Sequence, residues 1–176
     1  GVAAAALLVT AGCAFDRTGP APDAQAGTGP IPWDRPGWHE RSIPVAGDRR
    51  WYRLYRPPEL VDEPPVVLML HGGSRSMRDS FGPHAGGPRG WLDVAREAGF
   101  LLAVPNGTNP ETGDTRGDNQ FWNDPRLATD EAPSSQADDI AFIGALVQRL
   151  LARYPVDEER VYVTGASNGG MMTYRM

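Results

Sequence analysis

The chain has 176 residues and a formal net charge of −5, from 17 lysines and arginines against 22 aspartates and glutamates. This length suffices for one domain with a sizeable core, and a hydrophobic content of 40% is typical of a globular protein. The acidic balance excludes a nucleic-acid-binding protein, because no basic surface is available to neutralise phosphates.

The first thirteen residues resemble the end of a bacterial export signal. Residues 2–12 consist of Ala, Leu, Val, Thr and Gly, and the only cysteine of the sequence, Cys13, follows at once. A short apolar run that ends in small residues is typical of a signal peptide, and a cysteine at this point resembles a lipobox. We predict a lipid anchor at Cys13 on the outer face of the membrane. Simple secretion and a buried, unmodified thiol are the alternatives.

Residues 14–40 are rich in Gly, Pro and Ala, which predicts a flexible linker because this composition buries too little apolar surface to offset the entropy of ordering. Trp33 and Trp38 are the exceptions, and we expect them to dock onto the folded domain. That domain is predicted to span residues 41–176. No initiator Met precedes Gly1, so we expect the amino terminus to be incomplete.

The predicted domain begins with a β-hairpin, formed by residues 41–45 and 51–55 around Ala46-Gly47-Asp48-Arg49. Three apolar runs then predict strands that are buried on both faces of a parallel sheet, namely residues 66–70, 100–104 and 160–164.

Two helical patterns separate these runs. The first covers residues 91–98 and is closed by Gly99 as a C-cap. The second covers residues 136–154, and its start is marked by Ser135 and Asp138 at capping-box spacing. Its apolar face is predicted to contain Ile140, Ile143, Leu146, Val147, Leu150 and Leu151. Strands that alternate with helices predict an α/β fold with a parallel sheet and helical crossovers.

The motif with the clearest chemistry is Gly165-Ala166-Ser167-Asn168-Gly169, which follows the third buried run directly. A strand–turn–helix context of this kind holds a serine on a strained turn with its hydroxyl exposed. Gly165 and Gly169 stand where side chains would clash in such a turn. We predict that Ser167 is a nucleophile; the alternative is a chance match in a glycine-rich sequence.

His71-Gly72-Gly73 follows the first buried run and predicts an oxyanion site. Acyl transfer passes through a tetrahedral oxyanion, which needs N–H donors already aimed at it. The loop of Gly72 and Gly73 lets the backbone approach a substrate, and the backbone N–H of Asn168, directly after the serine, is the second predicted donor. His71 is predicted to orient this loop, since in such enzymes the catalytic base comes after the serine.

The remaining polar residues are assigned structural roles. His39 and His84 are expected to be solvated, and no histidine pair shows metal-ligand spacing with a carboxylate, so neither a metal nor an organic cofactor is predicted. Asp138 and Asp139 are read as charges that stabilise a helix start. The segment of residues 119–124 is expected either to line a substrate cleft or to be an ordinary packed loop.

Three stretches carry a family resemblance: His71-Gly72-Gly73, Asp138-Asp139-Ile140-Ala141-Phe142-Ile143, and residues 160–172 around Ser167-Asn168-Gly169-Gly170-Met171. With them the chain resembles the esterases grouped with polyhydroxybutyrate depolymerases, feruloyl esterases and acetyl xylan esterases. The resemblance covers residues 41–176. It implies the amino-terminal half of an α/β-hydrolase, ending just after the nucleophile turn.

The resemblance also implies a secreted serine esterase with a Ser-Asp-His triad that acts on polyesters or acylated polysaccharides. Ser167 matches the nucleophile, and Asn168 with the Gly72–Gly73 loop matches the oxyanion site. Members often carry cysteines near a Trp-Asn pair, whereas here Phe121 precedes Trp122-Asn123. The Asp and His of the triad have no counterpart in these residues, so we expect little or no activity from this chain alone.

Two other functions stay open at this point. A prolyl-oligopeptidase-like peptidase or a dienelactone hydrolase would use a similar turn around its serine. A non-catalytic surface lipoprotein on a hydrolase scaffold would show the same half-sheet without chemistry.

Overall fold

The computed structural model describes residues 33–81, 86–124, 126 and 134–176. Cys13, His84 and most of the predicted linker lie outside the described residues. The strands are β1 (Gly37–Val45), β2 (Asp48–Arg56), β3 (Val66–Leu70), β4 (Leu101–Pro105) and β5 (Val161–Gly165). The helices are α1 (Gly86–Ala98), α2 (Asp139–Arg153) and α3 (Asn168–Arg175), and a 3-10 turn spans Asp79–Phe81.

The predicted hairpin is present and is longer than expected. Strands β1 and β2 pair antiparallel from Gly37↔Arg56 to Val45↔Asp48, so the turn contains only Ala46 and Gly47. Both turn residues have positive φ, at 52° and 93°, which matches the right-handed twist of the strands that they join.

The two tryptophans of the predicted linker, Trp33 and Trp38, pack against the domain. Trp33 stacks on Tyr154 with ring centroids 5.3 Å apart, and Trp38 in β1 packs against Tyr55 and Phe81, each at 5.2 Å. The expected docking of both tryptophans is therefore observed, and regular structure begins at Gly37, four residues before the predicted domain boundary.

The five strands form one mixed sheet in the order β1-β2-β4-β3-β5. The hairpin joins β4 antiparallel, whereas β3 pairs parallel with both β4 and β5. Parallel neighbours need crossover connections, which α1 supplies between β3 and β4 and α2 supplies between β4 and β5. Because parallel strands place their carboxyl ends at one edge, this topology brings the residues after β3, β4 and β5 together.

Alternate residues of the central strand face two separate apolar clusters. Val66, Leu68 and Leu70 pack with the helix α2 side, and Val67 and Met69 pack with the helix α1 side. All five residues of β3 are buried, as are all five of β4, as expected for strands covered by helices on both faces. The prediction of burial on both faces was wrong for residues 160–164: in β5 only Thr164 is buried, because β5 lies at the edge of the described sheet.

Helix α2 starts three residues later than predicted. Asp138 is its N-cap and accepts a hydrogen bond from the Ala141 N–H at 2.9 Å, whereas the Ser135 hydroxyl accepts from the Ala137 N–H in the preceding turn. Ile140 is 41% exposed, so its predicted place in the apolar face was wrong, and Phe142 is buried there instead. The residue before Ile140, Asp139, is buried because it has a charged partner, described below.

Gly99 closes helix α1 as predicted, with φ at 66° and its N–H donating to the Ala95 carbonyl. In the described part of the chain no helix is both long and apolar enough to cross a bilayer.

Candidate active site

Ser167 occupies a strained turn between β5, which ends at Gly165, and α3, which starts at Asn168. Its φ of 52° and ψ of −120° lie outside the regions that L-residues ordinarily adopt. The side chain is exposed and makes no capping hydrogen bond to the helix that follows. The surrounding structure therefore holds this serine in an unfavourable conformation and leaves its hydroxyl free, a combination that clusters at functional sites.

The two glycines of the motif are required by close backbone approaches. A Cβ atom on Gly165 would lie 2.4 Å from the carbonyl of Gly169, and a Cβ on Gly169 would lie 2.3 Å from the Leu70 oxygen. These contacts press the first turn of α3 against the end of β3. Only glycine fits at both positions, because no room is left for a side chain.

The predicted oxyanion loop lies beside the serine. A Cβ placed on Gly72 would be 3.7 Å from the Cβ of Ser167, and one on Gly73 would be 3.5 Å from the Cβ of Asn168. The structure therefore brings together all four residues that the sequence assigned to acyl transfer. Backbone N–H groups near a serine hydroxyl can stabilise the charge that develops on a substrate carbonyl oxygen.

His71 is buried and bonded at both ring nitrogens, which gives it the structural role expected from the sequence. Its Nε2 accepts from the Gly107 N–H at 2.9 Å, so Nδ1 carries the proton and donates to the Gly72 carbonyl at 2.8 Å. Burial lowers the pKa of His71 to about 4, although the bond to Gly72 and the charge of Asp79 oppose this shift. A neutral imidazole with no free nitrogen cannot take a proton from Ser167.

Asn168 contributes a buried side chain as well as a backbone N–H. Its Oδ1 accepts from the Trp122 N–H at 2.8 Å, and its Nδ2 donates to Trp122 O at 3.3 Å and to Asp124 Oδ2 at 2.5 Å. The side chain thus joins the turn around Ser167 to a loop that precedes it by more than forty residues. Sequence reasoning missed Asp124, because nothing local to that residue indicates which turn it contacts.

Most of the segment of residues 119–124 packs as a loop. Gln120 and Trp122 are fully buried, and the Trp122 indole donates to the His71 carbonyl at 2.8 Å. The Phe121 ring contacts the loop of Gly73, where a Cβ would lie 2.8 Å from its Cε1. The alternative of an ordinary packed loop is therefore correct for Trp122.

Asp139 forms a buried ion pair in addition to its place in the first turn of α2. Its Oδ1 lies 2.5 Å from Arg50 Nη2, its Oδ2 accepts from the Asn123 N–H at 2.7 Å, and the two charged side chains are 0% and 3% exposed. Burial raises the pKa of Asp139, and the Arg50 guanidinium opposes that shift. The interpretation of Asp139 as a helix-start charge was thus incomplete.

Neither of the two described histidines is placed to activate Ser167. His71 is fully bonded, and His39 lies in β1, at the opposite edge of the sheet from β5, where its Nε2 contacts the Arg35 carbonyl. Four inter-strand spacings separate those edges, which corresponds to roughly 19 Å. Among the described residues no group of His, Cys, Asp and Glu could hold a metal ion.

Comparison with known proteins identifies relatives that are named as esterases or as a polyester depolymerase. The chain is 31% identical over its whole length to "Putative esterase NocK" of Nocardia uniformis subsp. tsuyamanensis, of which it covers 51%. It is 32% identical to feruloyl esterase B of Neurospora crassa over 68% of the chain and 36% of the relative. It is 30% identical to a poly(3-hydroxybutyrate) depolymerase of Ralstonia pickettii, over 61% of the chain and 21% of the relative. No family model matches the sequence.

Solved structures show the same fold. An acetyl xylan esterase from Aspergillus awamori superposes with a TM-score of 0.52 at 20% identity, over 76% of this chain and 44% of that one. The native structure of sOPH gives a TM-score of 0.58 at 19% identity, over 80% of this chain and 46% of that one. These neighbours confirm the predicted α/β-hydrolase fold. The chain spans about half the length of the first curated relative and less of the others.

Proposed function

We propose that the protein containing these residues hydrolyses carboxylic esters with Ser167 as the nucleophile. The premise is that the chain is homologous to the acetylxylan esterases, feruloyl esterases and poly(3-hydroxybutyrate) depolymerases. One observation carries the proposal: an exposed serine at φ 52° and ψ −120°, between the partly buried strand β5 and a helix, with the Gly72 backbone beside its Cβ. Strained backbone conformations cluster at active sites, which supports a catalytic role for Ser167.

The proposed reaction proceeds in two steps. The Ser167 Oγ attacks the ester carbonyl carbon and its proton passes to a base; the base returns that proton to the leaving oxygen, and the alcohol departs to give an acyl-enzyme. Water then attacks the acyl group and releases the acid and the free serine. The backbone N–H of Asn168 and the loop of Gly72 and Gly73 stabilise the oxyanion in both steps, and the positive end of the α3 dipole adds to that field.

The base and its orienting carboxylate are assigned to residues outside these 176. His71 is supported in a structural role by its two backbone bonds, and His39 lies at the far edge of the sheet. In hydrolases with this turn the acid and the histidine follow the serine in the chain. We therefore infer that the 176 residues alone hydrolyse esters poorly, because a serine without a base is a weak nucleophile.

For the substrate we infer an ester of an acylated polysaccharide or a polyester, since the relatives are named for acetylxylan, feruloyl and poly(3-hydroxybutyrate) substrates. We also infer export, with Cys13 as a lipid anchor, from the apolar run that precedes this residue. Labelling of cells with radioactive palmitate tests the anchor. Incorporation that Cys13→Ser removes supports it, and an unlabelled protein contradicts it.

The catalytic proposal is tested with the full-length protein that contains these residues and with the 176-residue chain. Turnover of p-nitrophenyl acetate and butyrate is expected from the former, and Ser167→Ala should lower kcat by at least about a thousandfold. Thr173→Ala, which removes only a hydroxyl bonded to the Gly169 carbonyl in the same helix, is the matched control and should stay near the unsubstituted rate.

Three results would contradict this assignment. Turnover that survives Ser167→Ala would show that Ser167 is not the nucleophile. Strong Ser167-dependent turnover by the 176-residue chain would show that a base lies within it. A preference for p-nitroanilides over the matching esters would favour a peptidase.

A further inference from the structure

The segment of residues 122–124 contacts both halves of the proposed oxyanion site. On one side the Trp122 indole N–H donates to the carbonyl of His71, the residue directly before Gly72. On the other side Trp122 and Asp124 take up all three hydrogen bonds of the Asn168 side chain. One short segment thus fixes the distance between the loop after β3 and the turn after β5.

The bond between Asp124 and Asn168 is the strongest of these contacts. It is 2.5 Å long, it joins a carboxylate to an amide N–H, and the Asp124 side chain has no exposed surface. A charge-assisted hydrogen bond inside a protein is about twice as strong as a neutral one. Asn168 is itself 3% exposed, so water cannot replace the carboxylate as its acceptor.

Asp124 is in turn held by Arg126. The Arg126 guanidinium donates to both carboxylate oxygens at 2.5 to 3.1 Å, and its backbone N–H donates to Oδ1 at 2.9 Å. Burial alone would raise the pKa of Asp124, but these bonds and the bond from Asn168 hold it below its ordinary value. The carboxylate therefore stays ionised, as the short contact to Asn168 requires.

The middle residue of the segment, Asn123, is bonded to two helices and, through Asp139, to the sheet. The Asn123 N–H donates to Asp139 Oδ2, and Asp139 pairs with Arg50 on β2. The Asn123 carbonyl accepts from Arg175 at the end of α3. The segment is thus bonded to α2 and to both ends of α3, and this rigid attachment is what a positioning role demands.

We propose that Asp124 is a positioning residue for acyl transfer at Ser167: through the Asn168 side chain it aims the Asn168 backbone N–H at the oxyanion. This inference rests on the proposed function. Loss of one aligned oxyanion donor lowers kcat by about a hundredfold to a thousandfold, and a displaced donor loses part of that. Because the donor acts on charge that exists only in the transition state, kcat falls and KM does not rise.

The test uses the full-length protein and p-nitrophenyl butyrate, with rates normalised to the serine titrated by a fluorophosphonate probe. Asp124→Asn keeps the shape and removes the charge, and we expect kcat to fall by about tenfold to a hundredfold with KM within about twofold. The matched control is Asp157→Asn. It breaks a similar carboxylate–arginine pair, with Arg160, that does not touch Asn168.

A double-mutant cycle shows whether Asp124 acts through Asn168. Asn168→Ala keeps the backbone donor and removes the side chain, so in that background Asp124→Asn should cause little further loss of kcat. Losses that multiply in the double variant would overturn the inference, as would an Asp124→Asn kcat equal to that of the control. If the unsubstituted protein shows no Ser167-dependent turnover, the proposed function falls first and the role of Asp124 falls with it.

Discussion

Replacing Gly169 by alanine is expected to destabilise the protein, whereas the same change at Gly170 is not. Both glycines lie in the first turn of α3 and differ in what a new methyl group would meet. At Gly169 the Cβ would lie 2.3 Å from the Leu70 oxygen and 2.4 Å from the His71 oxygen. At Gly170 its nearest contact would be the Gly165 oxygen at 3.3 Å.

The magnitude follows from how far the backbone must move. Cβ contacts below 3.0 Å are essentially never seen, so the end of β3 and the start of α3 have to separate by most of an ångström at Gly169. Overpacking of a rigid site costs typically 1–3 kcal/mol, and here two carbonyls of a buried strand end are involved, so we expect a loss of about 3 kcal/mol. Alanine gains up to about 1 kcal/mol over glycine in a helix, so Gly170→Ala should stay within about 1 kcal/mol of the unsubstituted protein.

The assay is thermal and urea unfolding of the two variants, followed by circular dichroism. A loss of about 3 kcal/mol lowers Tm by roughly 6 to 12 °C in a protein of this size. Since the clash pushes on His71, the ester-hydrolysis rate of Gly169→Ala should fall as well. Equal melting temperatures for the two variants would refute the reasoning, because helix propensity alone makes them alike.

Two further predictions concern buried charged and titratable groups. Because burial lowers the pKa of His71 from about 6.5 in the unfolded chain to about 4, the unfolded chain binds more protons between these values. The free energy of unfolding should therefore drop by roughly 3 kcal/mol as pH is lowered from 6.5 to 4. The variant His71→Gln should show a weaker dependence of this free energy on pH. An unchanged dependence in the variant would contradict the assignment of the effect to His71. Arg50→Met leaves the Asp139 carboxylate buried without its cation and should cost about 3–5 kcal/mol in urea unfolding. Arg160→Met breaks an exposed pair and should cost less than about 1 kcal/mol, so equal losses would show that burial is not the cause.

The core strands and the nucleophile turn could be read from the sequence because their signals are local. Val66 to Leu70 is apolar without alternation, which is typical of a strand buried on both faces, and its bounds are those observed. The glycines around Ser167 mark a tight strand-to-helix turn, and the observed φ of 52° confirms that turn. Helix α2 was less well placed, because the buried partner of Asp139 lies 89 residues away on β2.

The sequence by itself determined that a serine on a tight turn follows one apolar strand, and that a glycine-containing loop follows another. Each of those facts depends on a few adjacent residues, since turns and strands are set by neighbouring side chains and backbone freedom. Only the tertiary structure decided that the two sites meet, that His71 is fully bonded, and that Asp124 holds Asn168. Those contacts join residues 36 to 95 positions apart, and the parallel sheet brings them together by aligning the carboxyl ends of its strands.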